Sequence, residues 1–212
     1  MADEETLLQS AFERYAIKQC HRESIMRYLS ILRARSEETY FHSIRVCLLA
    51  ASIGDFLSDK GIKAKPLFWA GLLHDIGKAL VDPDLFEKKD HFTEDDYKRM
   101  EPHVEYDFRL LREVHEWTAH IIVRHHRFGR RPYPKEIPVS GIASGASREI
   151  FDTYGRLLAL ADFYDALMTR DNEKFGNVFA KNEKREIYFR ENADQKDLIL
   201  ELEKAGILTF SS

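Results

Sequence analysis

The ionisable pair His74-Asp75 directly follows the apolar run Leu67–Leu73, and it constrains the fold of this chain more than any other feature. Such a run should continue into a hydrophobic core, where a buried histidine and carboxylate cost several kcal/mol unless something compensates. A bound cation is the usual compensation, because it satisfies the carboxylate and the imidazole lone pair together. The sequence therefore predicts a metal site in the interior.

The composition is that of one compact domain with terminal additions. The chain has 212 residues, of which 44% are hydrophobic and 32% are charged, and its formal net charge is −4. This length can bury a substantial core. The charge balance gives no bulk attraction to nucleic acid or to an anionic membrane. We therefore expect neither a nucleic-acid polymer nor a membrane as a partner.

The cysteines and the first residues bear on cellular location. Cys20 and Cys47 are isolated and lack CxxC spacing, which argues against thiolate metal binding and against a disulfide framework. The chain starts with acidic residues, and no apolar run approaches the ~18 residues that a membrane span needs. These observations predict a cytoplasmic protein.

The apolar spacing predicts an all-α protein. Glycine (10) and proline (6) are sparse, and long segments carry apolar residues at i, i+3, i+4 and i+7. Helices are predicted over residues 5–35, 36–60, 66–77, 114–127, 147–169 and 182–210, with a further helix that starts at Thr93 and is kinked or restarted at Pro102. Residues 128–146 are the principal loop. The predicted units are a helical extension (1–35), a central bundle (36–176) and a helical tail (177–212) that packs on the bundle or in a dimer.

Two further candidate ligands lie on other predicted helices. His42 continues an apolar stripe that includes Val46 and Ile53, so its ring points toward the core. Asp162 directly follows the apolar run Leu157–Ala161. Taken alone, His42 fits a hydrogen-bonded core histidine better than a ligand, and Asp162 could be a helix-interior acid paired with an arginine.

A second set consists of His103 and the pair His125-His126. The pair ends the apolar run Ile121–Val123, and by itself it could equally be a surface feature at a helix end. Considered separately, each of these residues would need its own hydrogen-bond or ion-pair partner, whereas two metal ions would satisfy all of them. The combined set is His42, His74, Asp75, His103, His125, His126 and Asp162.

In this order, the set resembles the HD superfamily of metal-dependent phosphohydrolases, which is named for its HisAsp pair. The match is closer to the HD-GYP subgroup. The segment His74–Lys78 resembles the HDIGK signature, and Ala161–Leu167 resembles the ADxxDAL segment. Thr93-Glu94, with Met100 and His103, resembles the helix between them. The resemblance covers about residues 38–170, which is most of the chain.

The chain departs from the subgroup after the histidine pair. Where the subgroup has HHE and then a GYP loop, this chain has His125-His126-Arg127 and then Arg131–Pro134. Pro132 replaces the glycine, which fixes φ and removes a backbone donor. The interval from His126 to Asp162 is also long for the subgroup. These departures leave the metal ligands intact and leave open the cyclic-dinucleotide substrate that the subgroup implies.

The resemblance implies a helical bundle with two metal ions in its core, bridged by Asp75. The first ion would be held by His42, His74, Asp75 and Asp162, and the second by Asp75, His103, His125 and His126. Glu38 lies four residues before His42 and matches a glutamate that recruits a third metal in some members; the alternative is an exposed first-turn acid. Asp165, one turn after Asp162, is expected to orient a histidine ligand.

The donor chemistry limits the metals and suggests roles for nearby cations. Five imidazoles with two carboxylates suit iron, manganese, cobalt, nickel or zinc better than magnesium, and we expect iron or manganese. Asp75 and Lys78 are the predicted catalytic residues. Asp75 would bridge the two ions, and Lys78 is placed to meet a phosphate oxygen. Arg127, Arg130 and Arg131 follow the histidine pair and form either a rim for a polyanionic substrate or a solvated charge run.

Three function classes are compatible with these residues. The first, which we favour, is hydrolysis of a phosphate ester by a metal-bridged hydroxide, with a nucleotide or cyclic dinucleotide as the expected substrate. The second is an oxygen-activating di-iron enzyme, since some HD-fold proteins have a similar ligand set. The third is a metal-bound signalling module without turnover, which the altered GYP loop motivates. The terminal helices are candidates for a homodimer interface.

Overall fold

The computed structural model describes residues 2–88, 92–138, 148–169 and 181–210, and every regular element in those ranges is a helix. The α-helices are α1 (Ala2–Arg14), α2 (Gln19–Arg35), α3 (Glu37–Phe56), α4 (Ala64–Leu73), α5 (Asp84–Glu87), α6 (Glu94–Met100), α7 (His103–Leu111), α8 (Glu116–Ile122), α9 (Arg148–Thr169), α10 (Lys181–Glu191) and α11 (Lys196–Lys204). Short 3₁₀-helices cover Ser58–Lys60, Ile76–Leu80, His125–Phe128 and Ala193–Gln195. The predicted all-α fold is confirmed. No helix within these ranges has the length and apolarity to cross a bilayer.

The centre of the bundle is the close pair α3 and α4, with α9 packed against both. A Cβ atom on Gly71 would lie 2.5 Å from the Cα atom of Cys47, so only glycine allows this approach of the two backbones. The three helices carry His42, the segment that leads to His74, and Asp162. Their packing therefore brings three of the predicted ligands to one region of the core.

The N-terminal helices share this core. Leu8 and Phe12 of α1, and Ile25 and Leu29 of α2, are almost fully buried in the same hydrophobic cluster as α3 and α4. The Phe12 ring meets the ring of Phe68 edge-on, with 5.8 Å between centroids. Helices α1 and α2 are therefore packed on the central helices.

The His74-Asp75 pair lies in a turn and not within a helix. The predicted helix over 66–77 ends at Leu73, and a 3₁₀-helix begins at Ile76. The predicted extent of this helix was therefore wrong at its C-terminal end. The chain bends here and brings the backbone of Gly77 against the first turn of α7.

The predicted start of α6 is confirmed, whereas the predicted helix 114–127 is divided. Thr93 caps α6 through a capping box with Asp96, and α7 restarts after Pro102. Helix α8 ends at Ile122, and the pair His125-His126 lies in the 3₁₀-helix that follows. Part of the predicted loop, residues 139–147, lies outside the described residues.

Helix α10 packs against α9. The Tyr188 hydroxyl donates to the carbonyl oxygen of Leu160 at 2.9 Å. Arg156 of α9 is buried and donates to Asn192 at 3.0 Å and to Asp194 at 2.7 Å. These bonds fix the C-terminal end of α10 beside α9.

Candidate metal centre

The structure brings all seven predicted ligands together in two adjoining groups. The ligating atoms within each group lie within 4.8 Å of one another. The first group is His42, His74 and Asp162, and the second is Asp75, His103, His125 and His126. The members come from α3, α7, α9 and the two tight turns after α4 and α8.

In the first group, two imidazoles converge on one carboxylate. The Nε2 atom of His42 lies 3.0 Å from Asp162 Oδ1, and the Nε2 atom of His74 lies 3.6 Å from the same oxygen. Both rings are almost fully buried, while 17% of the Asp162 side chain is exposed. The two imidazoles of this group are therefore shielded from solvent, and solvent reaches the group at Asp162.

Asp75 stands between the two groups. Its Oδ2 atom lies 3.4 Å from Nε2 of His74, whereas its Oδ1 atom lies 3.5 Å from Nε2 of His103. The side chain is only 1% exposed. One oxygen therefore faces each group, which is the arrangement that a bridging carboxylate requires.

Three ligand rings are held from behind by their own turn of chain. The Nδ1 atoms lie near the carbonyl oxygen three residues earlier, at 2.8 Å for His74, 2.7 Å for His103 and 2.5 Å for His125. An Nδ1–H that donates to a carbonyl leaves the Nε2 lone pair free for a metal, and such contacts orient ligands in metalloproteins. The rings are therefore held in the tautomer and direction that ligation needs.

Asp165, predicted to orient a ligand, lies behind His42. Its Oδ2 atom is 2.7 Å from Nδ1 of His42, and its Oδ1 atom accepts from Nε of Arg45 at 2.7 Å. Arg45 holds the carboxylate in place, and the carboxylate in turn directs Nε2 of His42 toward the centre. Sequence reasoning had not found Arg45; its position three residues after His42 on α3 is the signal that could have done so.

The donor atoms of the centre fit divalent cations. The buried Nε2 atoms of His74, His103, His125 and His126 and the Oδ1 atom of Asp75 have no hydrogen-bond partner among the described residues. Buried polar atoms are seldom left without partners, because each unsatisfied group costs free energy. These five atoms, four imidazole nitrogens and one oxygen of Asp75, would be satisfied together by two ions.

Burial and neighbouring charges set the protonation of the donors. Burial lowers the pKa of His103 to about 3 and that of His125 to about 4, and it also lowers the pKa of His126. Burial alone would raise the pKa of Asp75, but His74 and Lys78 hold this pKa well below its usual range. Neutral imidazole and ionised carboxylate are the forms that bind metals, so these donors are in the ligating state near neutral pH.

A cavity of about 470 Å³ borders the centre. Its lining combines ligands, aromatic rings and cations, and includes Lys78, Phe92, Tyr97, His103, His125, His126, Phe128, Arg130, Arg131, Tyr133, Arg156, Asp162, Phe163, Glu191 and Asn192. Tyr133 stacks on the ring of His126 with 4.5 Å between centroids. A pocket of this size with aromatic walls and a few convergent polar groups suits a small organic ligand.

The predicted cations differ in how closely they approach the centre. Lys78 donates to Asp75 Oδ2 at 2.6 Å and lines the cavity. Arg130 forms a bidentate pair with Glu191, and Arg131 pairs with Glu94 at 2.6 Å. Arg127 is half-buried and is not among the lining residues in the described part of the chain.

Three further residues show what the sequence reasoning assigned and what it missed. Glu38, considered for a third metal, is exposed in the first turn of α3 and belongs to neither donor group. Arg156 lines the cavity and was not predicted. Its guanidinium group is held by Asn192 and Asp194, which lie far away in the sequence. Asp107, fully buried behind the HisAsp turn, was also missed, although it lies one turn after His103 on the inward face.

The part of the chain that holds the two donor groups is similar to known proteins. A family model described as the HD domain matches residues 39–167, which is more than half of the chain. The chain is 28% identical over 144 residues to a cyclic di-GMP phosphodiesterase of Pseudomonas aeruginosa, covering 66% of this chain and 33% of the relative. It is 26% identical over 178 residues to a cyclic di-GMP phosphodiesterase of Thermotoga maritima, covering 77% of this chain and 44% of that protein.

A third relative has a related name. The chain is 25% identical over 168 residues to a 3′3′-cGAMP-specific phosphodiesterase of Vibrio cholerae, covering 74% of this chain and 30% of the relative. In all three comparisons the chain spans less than half the length of the curated relative. The family match covers the segment that holds every predicted ligand, and the chain therefore belongs to the HD domain family.

Proposed function

We propose that this chain is a metal-dependent phosphodiesterase that hydrolyses a nucleotide-like small molecule, with a cyclic dinucleotide as the first candidate. The observation that carries the proposal is the convergence of seven side chains into two adjoining donor groups, with Asp75 facing both, beside a cavity of about 470 Å³. Relatives named for cyclic di-GMP and 3′3′-cGAMP hydrolysis support this substrate class. We place this activity in the cytoplasm, in line with the sequence prediction.

Two divalent transition metal ions would complete the centre. His42, His74 and Asp162 would hold the first ion with one oxygen of Asp75, and the other oxygen would join the three remaining histidines on the second. An imidazole-rich set favours iron or manganese, with nickel, cobalt or zinc as alternatives. When bound, two such ions polarise phosphoryl oxygens and lower the pKa of water.

The side chains of the protein position the ions and neutralise charge. Asp75 keeps the two donor groups in a fixed relation, because each of its oxygens faces one of them. Lys78 is the residue that we assign to the phosphoryl group. Its ammonium group borders the cavity and already contacts Asp75, so a small movement brings it to a substrate oxygen where negative charge develops.

The cavity supports recognition of a nucleotide. The aromatic rings of Phe128, Phe163 and Tyr133 line the cavity, and we assign base binding to them, because stacking on aromatic rings is a common mode of base binding. We assign Arg130 and Arg131 to substrate oxygens that lie away from the ions, because a guanidinium group binds phosphates and carboxylates in the same way. A bound substrate would displace the carboxylates of Glu191 and Glu94 from these arginines.

Metal analysis followed by a substrate panel tests the proposal. Protein purified anaerobically should contain two transition metal ions per chain, and it should cleave bis-p-nitrophenyl phosphate and at least one of cyclic di-GMP and 3′3′-cGAMP. Chelation should abolish the activity, and iron or manganese should restore it. Asp59→Ala, which changes an exposed acid outside the centre, is the control that should behave like the wild type.

The same panel separates the other function classes. Hydrolysis that proceeds equally well without oxygen would exclude a di-iron oxygenase as the main activity. Two bound metals without turnover on any ester of the panel would overturn the proposal in favour of a signalling module. A chain that takes up no transition metal would overturn it altogether.

A further inference from the structure

The 3₁₀-helix Ile76–Leu80, which directly follows the HisAsp turn, touches the backbone of helix α7 at Gly77. A Cβ atom on this residue would lie 2.2 Å from the carbonyl oxygen of His103 and 2.8 Å from the backbone nitrogen of Asp107. No side chain fits in that space. The turn that carries Asp75 is therefore in direct contact with the first turn of the helix that begins with the ligand His103.

Asp107 closes this contact with a hydrogen bond. The backbone N–H of Gly77 donates to Oδ1 of Asp107 at 2.5 Å. Asp107 is fully buried, and its Oδ2 atom has no hydrogen-bond partner among the described residues. A carboxyl group is costly to bury, so a position that needs only apolar packing would not be expected to hold one.

Both ends of this bond lie close in sequence to metal ligands. Gly77 is two residues after Asp75, and Asp107 is one helical turn after His103. The bond therefore spans the pair whose atoms Asp75 Oδ1 and His103 Nε2 are 3.5 Å apart. The direction of the His103 ring is fixed separately, by the Met100 carbonyl. The remaining variable is the distance between α7 and the turn that carries Asp75, which the bond between Gly77 and Asp107 restrains.

We propose that Asp107 is a positioning residue that sets the spacing between Asp75 and His103 and thereby the affinity for the second metal ion. The inference rests on the two-metal centre of the proposed function. Asp107 does not act as a ligand, because it belongs to neither donor group and its Oδ1 atom is engaged by Gly77. It acts on the ion through the placement of the two ligands.

Metal titration of variants at this position tests the inference. Full-length metal-free protein is titrated with Co²⁺, and binding is followed by visible absorption and by the number of ions retained. Asp107→Ala should keep the first ion and bind the second about 10- to 100-fold more weakly, the usual scale for loss of a group that supports a ligand. Asp107→Asn keeps the Oδ1 acceptor and should bind both ions within about threefold of the wild type.

Two reference variants separate positioning from loss of stability. His103→Ala removes a ligand and defines the pattern for loss of the second ion. Leu111→Ala leaves a cavity at the far end of the same helix and lowers stability without touching the turn. Asp107→Ala should resemble a weaker form of His103→Ala and differ from Leu111→Ala. If Asp107→Ala does not fold, Asp107→Val replaces it, because its branched side chain fills the space of the carboxyl group and offers no acceptor to the Gly77 N–H.

The outcomes distinguish this inference from the proposed function. Two ions bound to Asp107→Ala with wild-type affinity would overturn the role of Asp107 and leave the metal centre standing. Equal weakening of both ions, matching Leu111→Ala, would assign Asp107 to general stability and would also overturn it. A wild-type chain that binds no Co²⁺ would refute the metal centre itself, and the positioning role with it.

Discussion

The candidate metal centre and the arginine rim of the cavity are both rich in polar groups, but the hydrogen-bonding capacity of these groups is met in opposite ways. In the centre, four imidazole nitrogens and a carboxylate oxygen are buried without a hydrogen-bond partner among the described residues. At the rim, Arg130 and Arg131 are largely exposed and paired with Glu191 and Glu94. Unsatisfied buried groups imply something that completes them, whereas exposed paired arginines are stable as they are. The centre therefore supports a ligand far more strongly than the rim does.

The largest effect is expected from removing the bridge. Asp75→Ala takes away the one side chain that faces both donor groups, so both ions and the activity should be lost. The rate should fall by at least ~1,000-fold, the upper end of the effect of a single electrostatic group. Metal content and steady-state hydrolysis measure this, with Asp59→Ala as the control. Near-normal turnover would contradict the two-metal centre.

Lys78 lies between the two regions, and its removal should have an intermediate effect. Its side chain is 13% exposed, and it contacts Asp75 while bordering the cavity. Lys78→Ala should retain both metals and lower the rate by ~100-fold, the scale of losing one group that stabilises charge in the transition state. Metal analysis and kcat are the readouts, and the exposed Lys63→Ala is the control. Unchanged kinetics would place the lysine outside the reaction.

A smaller effect is expected on the stability of the metal-free protein in acid. Because burial lowers the pKa of His103 to about 3, only the unfolded chain takes up this proton as the pH falls below about 6.5. The folded state should therefore lose about 1.4 kcal/mol through His103 between pH 7.5 and pH 5.5. Urea denaturation at the two pH values measures this loss, and His103→Gln should reduce it by that amount. An identical pH dependence in the variant would count against a buried neutral ring.

The smallest effect is expected at the rim. Arg130→Gln removes a bidentate partner of Glu191. Arg130 is 65% exposed, and Glu191, which is 16% exposed, keeps Arg190 as a partner at 3.0 Å, so the loss should stay near the range of a surface ion pair, about 0–1 kcal/mol. The KM for a cyclic dinucleotide should therefore rise by less than about fivefold, and the melting temperature should hardly change. Arg131→Gln should behave similarly. A rise in KM of ~100-fold would mean that the rim, and not Lys78, provides the main phosphate contact.

The sequence predicted those parts of the centre that depend on local pattern. His42 lies on an apolar helix face, and Asp75 and Asp162 adjoin apolar runs, so each had to be buried or compensated. Their burial and convergence follow from amphipathic helices closing around one core. The start of α6 at Thr93 was also predicted, because an N-cap acts within one turn of chain.

The remaining features depend on contacts between segments that are distant in the sequence. An apolar run does not reveal that α4 stops at Leu73, because the reason is the contact of Gly77 with α7. The spacing of Asp107 from His103 indicated an inward face of α7, but not the contact of Asp107 with Gly77. Likewise, the pairing of Arg130 with Glu191 depends on where α10 packs, which residue spacing does not determine. Tertiary placement, and not propensity, decides these features.

The carbonyl contacts behind His74, His103 and His125 have a consequence for assembly. Each ring is tethered to a residue only three positions earlier, so its aim is settled as soon as that short stretch of backbone forms. When the segments that carry these three histidines pack together, their Nε2 atoms already face the site, so the rings need not rotate to bind an ion. Apoprotein made in metal-poor cells should accordingly be loaded after synthesis, at a rate limited by ion entry rather than by refolding.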